Sequence, residues 1–124
     1  MRLSVVAPVF NTLSCLPEFY RRLSCVLDEL AESAEIIFVD DGSTDRTAEI
    51  VRAVSEQNPR VRLIQFPENR GYGAALRAGF ESSRFDLVAF TDADCQFDLG
   101  DLGNMLALTE SFEIVSGYRI DRQD

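Results

Sequence analysis

Asp92 and Asp94 flank Ala93, one residue (Thr91) beyond a stretch, Phe85 to Phe90, that is apolar except at Asp86. In an extended segment, carboxylates at i and i+2 point the same way, about 6.6 Å apart at roughly 3.3 Å per residue. Like charges held that close repel unless a cation or several donors offset them. Mg²⁺ and Mn²⁺ take oxygen ligands, commonly one or two carboxylates together with substrate phosphates and waters. An Asp-x-Asp at a strand end therefore offers a metal and a diphosphate a place to meet. The same short pattern in an acidic protein also fits a solvated turn ahead of a helix.

Two further segments carry chemistry. Val39-Asp40-Asp41-Gly42-Ser43 sets two carboxylates at a sharp turn before a helix, where Asp serves as a cap, as a turn former, or as an acceptor for a nucleobase N–H or a ribose hydroxyl. Asn69-Arg70-Gly71-Tyr72-Gly73-Ala74-Ala75 has the look of a phosphate-cradling loop, yet Leu76 stands where G-x-G-x-x-G requires its last glycine. A P-loop is excluded, because the chain contains no Lys.

Composition narrows the classes. With 124 residues and 46% hydrophobic content, the chain fits one domain with a real core. The 21 acids outweigh 12 bases, all Arg, for a net charge of −9, which excludes a nucleic-acid footprint and a basic lipid-binding patch. Histidine is absent, and with it go the commonest general base, the Ser-His and Cys-His pairs and the usual zinc ligands. Carboxylates, Arg and a metal remain to carry any catalysis. Cys15, Cys25 and Cys95 show no C-x-x-C spacing and are expected to be reduced thiols acting as small hydrophobes. No run approaches the ~20 apolar residues of a membrane span, and the opening Met-Arg-Leu-Ser-Val-Val-Ala-Pro is too short for a signal peptide, so the expected location is cytoplasmic.

These residues need a frame. Leu3 to Val9 predicts a strand buried on both faces, and Leu13, Leu16, Tyr20, Leu23, Leu27 and Leu30 a helix with Glu18, Asp28 and Glu29 outward. A second strand at Glu35 to Val39 precedes a helix capped by Thr44 or Asp45, carrying Ala48, Val51 and Val54 and broken at Asn58-Pro59. A third strand at Val61 to Phe66 leads through a loop into a helix from Tyr72 to Ser82, whose small residues suggest close approach to the sheet or to a ligand. Phe85 to Phe90 is a fourth strand, Leu99, Leu102 and Leu106 mark a fourth helix, and Phe112 to Ser116 a fifth strand.

This alternation predicts an α/β domain with a mostly parallel sheet, right-handed crossovers and helices on both faces. Ligands bind such sheets outside the carboxyl ends of the strands, where the strand order reverses. Phe10-Asn11, Asp40-Asp41, Arg70-Gly71, Asp92 with Asp94, and Tyr118-Arg119 all fall on that rim. Their convergence favours a site over a scatter of solvated acids.

Together, Ala7-Pro8-Val9-Phe10-Asn11, Val39 to Asp45, Asn69 to Ala75, Asp92-Ala93-Asp94-Cys95-Gln96 and Ile114 to Arg119 resemble the family 2 glycosyltransferases of the GT-A fold. The likeness is strongest to the polyprenyl-phosphate branch, the dolichyl-phosphate mannose synthase-like enzymes, and runs over nearly the whole chain. It implies a Rossmann-like GT-A nucleotide-sugar-binding domain over residues 1–124, ending ahead of the acceptor-binding part and of any membrane-associated helices. Cys95 departs from the Leu or Gly more usual at its position.

Carried over by position, the resemblance implies that Pro8, Phe10 and Asn11 line the nucleotide pocket and that Asp40 faces the base. Asp41, Gly71 and Ala93 belong to the same binding set. Asp92 would hold the ribose side and, with Asp94, the catalytic Mg²⁺ or Mn²⁺ on the diphosphate; Gln96 would lie beside them and Arg119 would reach a phosphate.

The implied reaction moves a hexosyl group from a UDP- or GDP-sugar to an acceptor, a polyprenyl phosphate or a glycan. A phosphate acceptor is already anionic and needs no general base, which suits these residues. A nucleotide-sugar-binding module without turnover is the alternative within the same fold. A receiver-like Mg²⁺-binding signalling domain would want a Lys after the fifth strand and an Asp after the third, where this chain has Phe66-Pro67. A nucleotidyltransferase would want a basic glycine-rich loop after the first strand, where Asn11-Thr12-Leu13-Ser14 stands.

Overall fold

The computed structural model describes residues 2–93. The predicted fourth helix and fifth strand, and the site residues Asp94, Gln96 and Arg119, lie outside the described residues. Within them the order is β1 (Arg2–Val9), α1 (Leu16–Leu30), β2 (Ser33–Asp40), α2 (Thr47–Gln57), β3 (Val61–Gln65), α3 (Tyr72–Ser82) and β4 (Leu87–Phe90). The strands form one sheet in the order β3-β2-β1-β4, and every pairing is parallel.

The two central strands are buried on both faces, as their continuous apolar runs require. One face carries Leu3, Val5, Ala7 and Val9 of β1 and Ile36 and Phe38 of β2, packed against Leu16, Phe19, Leu23 and Leu27 of α1 and Val51 of α2. On the other face Val6, Ile37 and Val39 meet Ala75 of α3 and Phe66. Each fully buried Leu or Phe contributes on the order of 1.5–3 kcal/mol of transfer free energy. Phe19 and Phe38 meet edge to face with ring centroids 6.2 Å apart, joining α1 to β2.

Helix α1 starts three residues later than the apolar spacing predicts. Cys15 and Leu16 both donate their N–H to the Thr12 carbonyl, at 3.1 and 2.9 Å, which makes residues 12–15 a turn. Pro17 falls in the first helical turn, where its missing N–H costs nothing. Leu13 is left 37% exposed in that turn, and Phe19, absent from the predicted stripe, is buried instead.

Helix α3 packs close to the sheet through Gly79. A Cβ there would lie 2.2 Å from Val6 Cγ1, so with Val6 in place this approach calls for glycine. Gly73, the second residue of the same helix, faces open space.

At the amino ends of the strands, away from the predicted rim, a buried carboxylate organises the sheet. Glu35 is 3% exposed. It accepts hydrogen bonds from Ser4 Oγ at 2.6 Å, Arg62 Nη1 at 2.7 Å and the Arg84 N–H at 2.7 Å. Arg62 also donates to the Ser82 carbonyl at 2.8 Å, tying the α3–β4 connection to β2 and β3. Burial pushes the Glu35 pKa up, but these donors outweigh it and hold the carboxyl below its ordinary value.

Candidate functional site

Strands β1, β2 and β3 step outward in one direction, and β4 then returns to the other side of β1. The order therefore reverses between β1 and β4, and the loops leaving their carboxyl ends diverge. A cleft of about 430 Å³ opens there, within the ~300–1,000 Å³ usual for small-molecule sites. Pro8, Val9 and Phe10 line it from the end of β1, Thr12 from the following turn, and Asp41 from the loop after β2. Asn69, Gly71, Tyr72 and Ala75 line it from the loop after β3 and the start of α3, and Asp92 and Ala93 from the end of β4.

The wall made by the second and third loops is knitted by backbone. Asp41 accepts the N–H of Arg70 at 2.6 Å and of Gly71 at 3.0 Å, one on each carboxylate oxygen. Asn69 Nδ2 donates to the Asp41 carbonyl at 3.3 Å. Gly42 sits at φ +73°, and a Cβ there would come within 2.5 Å of the Asn69 nitrogen, so the loops touch main chain to main chain. Gly71 has φ +102°, a conformation that residues with a Cβ rarely adopt. The Arg70 guanidinium lies over the Phe66 ring at 4.8 Å. Phe10 and Tyr72 each leave close to half of their side chains open, giving the cleft two accessible aromatic faces.

The opposite wall follows β4. Thr91 N–H donates to the Val6 carbonyl at 3.1 Å, carrying the β1–β4 pairing one step beyond the strand. Ala93 is 2% exposed, and its carbonyl accepts from the Cys15 thiol at 3.0 Å. Asp92, half-buried, lines the cleft between these anchors.

Of the residues singled out from the sequence, Pro8, Phe10, Asp41, Gly71, Asp92 and Ala93 come together on this cleft. Asn11 and Asp40 are not among its lining residues. Asp40 is the last residue of β2 and 1% exposed; Oδ1 accepts from the Ser43 N–H at 3.3 Å, and Oδ2 is buried with no hydrogen-bond partner among the described residues. Asn11 Oδ1 accepts from the N–H groups of Thr44 and Asp45 instead. The lining also takes in Val9, Asn69, Tyr72 and Ala75, which lie inside the quoted segments but were given no role of their own, and Thr12, which lies outside them. Tyr72 carried a usable signal, an aromatic directly after a glycine at a helix start on the rim.

No group of three or more potential His, Cys, Asp or Glu metal ligands forms among the described residues. A Mg²⁺ or Mn²⁺ held mainly by phosphate oxygens needs only one or two carboxylates. Asp92 on the cleft wall, with Asp94 two residues on, fits that donor set. No helix among the described residues is long and apolar enough to cross a membrane.

Comparison with known proteins agrees with this architecture. The chain is 40% identical over 124 residues to an undecaprenyl-phosphate 4-deoxy-4-formamido-L-arabinose transferase of Pseudomonas aeruginosa, covering 98% of this chain and 36% of that protein. It is 36% identical over 121 residues to the uncharacterized glycosyltransferase YkcC of Bacillus subtilis, covering 97% and 38%. The chain thus spans little more than a third of the length of these relatives. Among solved structures, it superposes on the mannosyltransferase PcManGT of Pyrobaculum calidifontis, in complex with GDP-Man and Mn²⁺, with a TM-score of 0.75 and 27% identity, over 86% of this chain and 32% of that one. On the S. aureus TarS fragment 1-349 in complex with UDP-GlcNAc, the TM-score is 0.71 at 25% identity, over 89% and 31%. The fold is that of the GT-A glycosyltransferases. The family model for glycosyl transferase family 2 matches residues 4–124, and the chain belongs to that family.

Proposed function

We propose that this chain is the nucleotide-sugar-binding part of an enzyme that transfers a glycosyl group from a nucleoside-diphosphate sugar to a polyprenyl phosphate. The observation that carries the reading is the cleft at the β1/β4 switch point, where exposed Phe10, the clamped Asp41 and Asp92 meet. Relatedness to an undecaprenyl-phosphate transferase supports the acceptor class.

In this reading the base lies against Pro8 and Phe10, the Asp41 side of the cleft meets its polar edge or the ribose, and Asp92 faces the ribose and diphosphate. Asp92 and Asp94 would hold Mg²⁺ or Mn²⁺, which when bound neutralises charge growing on the departing diphosphate. An acceptor phosphate oxygen attacks the anomeric carbon, the bond from that carbon to the diphosphate oxygen breaks, and the nucleoside diphosphate leaves with the electron pair. The attacking oxygen is already anionic, so no side chain has to remove a proton. The protein's part is to orient the donor.

Isothermal titration of the chain with UDP, GDP and CDP, with Mn²⁺ and again with EDTA, tests this. Metal-dependent binding of at least one diphosphate is expected, and Asp92→Asn should remove it while the thermal transition persists. Absence of metal-dependent heat for all three nucleotides would sink the reading.

A further inference from the structure

Asn11 sits beside the cleft without lining it, in the left-handed region at φ +51°. Asn is among the few residues that tolerate that conformation, and here its side chain is put to use. Its Oδ1 accepts from the Thr44 N–H at 2.9 Å and the Asp45 N–H at 3.3 Å, with Thr44 Oγ1 at 3.4 Å. In return the Asn11 N–H donates to Ser43 Oγ at 2.9 Å. One residue on, the Thr12 N–H donates to Thr47 Oγ1 at 3.1 Å. All of these bonds run between the loop after β1 and the segment leading from β2 into α2.

Both segments contribute to the cleft: Phe10 precedes Asn11 in the first, and Asp41 precedes Gly42-Ser43 in the second. Neither can shift alone while Asn11 holds Thr44 and Asp45. Resting on the nucleotide-sugar reading above, we propose that Asn11 is a positioning residue for the nucleotide. It acts by fixing Phe10 relative to Asp41 through Oδ1, not by touching the ligand. The N–H groups it satisfies lie just ahead of α2, where no intrahelical carbonyl is available to them.

The amide offers two chemistries, and they separate the roles. Asn11→Asp keeps an acceptor and tolerates φ +51°, but removes the Nδ2 donors a ligand contact would use. Asn11→Gly keeps the backbone conformation and removes the acceptor. Two measurements on the full chain decide the matter: amide hydrogen exchange at Thr44 and Asp45 without nucleotide, and affinity for UDP and GDP with Mn²⁺.

Asn11→Gly should speed exchange at both amides and weaken both nucleotides by roughly tenfold, the loss expected for about one net hydrogen bond with little change in their ratio. Asn11→Asp should restore slow exchange and most of the affinity. Ser43→Ala, which removes the return bond from the other loop, should weaken binding in the same direction and less than additively with Asn11→Gly. Unchanged exchange in Asn11→Gly overturns the proposal, as does an Asn11→Asp loss equal to that of Asn11→Gly. If the wild-type chain binds no nucleotide, the functional reading fails, whereas the exchange result still reports on the lock itself.

Discussion

The Asp41 carboxylate accepts the Gly71 N–H at 3.0 Å, and its other oxygen takes the Arg70 N–H at 2.6 Å. Two loops that follow different strands are thereby joined before any ligand arrives, so one wall of the cleft is built in advance. Asp41 is only 6% exposed, which makes its carboxylate costly to leave without these two donors.

Asp41→Ala should therefore lower stability by about 1–3 kcal/mol, read as a lower urea midpoint. Gly42→Ala attacks the same junction from the other side, since its Cβ would lie 2.5 Å from main-chain atoms of Glu68 and Asn69 at φ +73°. It too should lower the midpoint. If either variant unfolds at the wild-type midpoint, the two loops are not held together in solution.

Contact between α3 and β1 gives a second test. The Cβ of Gly79→Ala would meet Val6 Cγ1 at 2.2 Å, and such overpacking costs about 1–3 kcal/mol. The clash is with a side chain, so Val6→Ala should relieve it: the double variant should be more stable than the sum of the single losses predicts. Strict additivity in a double-mutant cycle would mean the helix stands off the sheet. Gly73→Ala, with open space around it, should cost nothing in stability.

Glu35 sets an acid limit. Burial pushes its pKa up, but the donors Ser4, Arg84 and Arg62 together outweigh it and hold the folded carboxyl below the ordinary glutamate value. A group depressed in this way contributes stability that is complete above the unfolded pKa and disappears as pH falls through the folded one. The wild-type thermal midpoint should therefore drop as pH is lowered below about 4.5, and Glu35→Gln should start lower with a flatter acid limb. Parallel curves for the two proteins from pH 6 to 3 would remove Glu35 from the account.

Within residues 2–93 the element types were legible in the sequence, because period and breakers encode them locally. Helix α3 has the predicted bounds, since Gly71 and the polar run after Phe80 leave no other place to start or stop. The start of α1 is not legible in the apolar pattern, because Leu13 fits the helical period while Pro17 and the carbonyl of Thr12 decide where the helix begins. The strand order is not a local property: nothing in the spacing says that β4 returns beside β1, and it is that return that makes the cleft. Asp40 and Asp41 could not be told apart either. Asp40 ends β2 and Asp41, whose N–H still donates to the Val9 carbonyl at 2.9 Å, opens the loop; only Asp41 reaches the cleft. The Asn11 bonds join residues 33 apart, beyond the reach of any motif.

Cys15 and Ala93 provide the last test, because they tie α1 to the acid motif. The thiol donates to the Ala93 carbonyl at 3.0 Å and sits 3.6 Å from the Thr12 carbonyl, bridging the first turn and the end of β4. Ala93 separates Asp92 from Asp94, so a shift of its carbonyl moves the segment that carries both acids. Cys15→Ser retains a donor at nearly the same place and should leave Mn²⁺-dependent nucleotide binding close to wild type. Cys15→Val keeps the bulk, removes the donor and should weaken that binding several-fold, in line with the loss of one hydrogen bond. Cys25 is exposed and lies on the far part of α1, which makes Cys25→Ser the control for thiol loss as such. Titrating Mn²⁺ at fixed nucleotide across the three variants reads the effect. Equal affinities for Cys15→Ser and Cys15→Val would show that the bridge does not steady the motif.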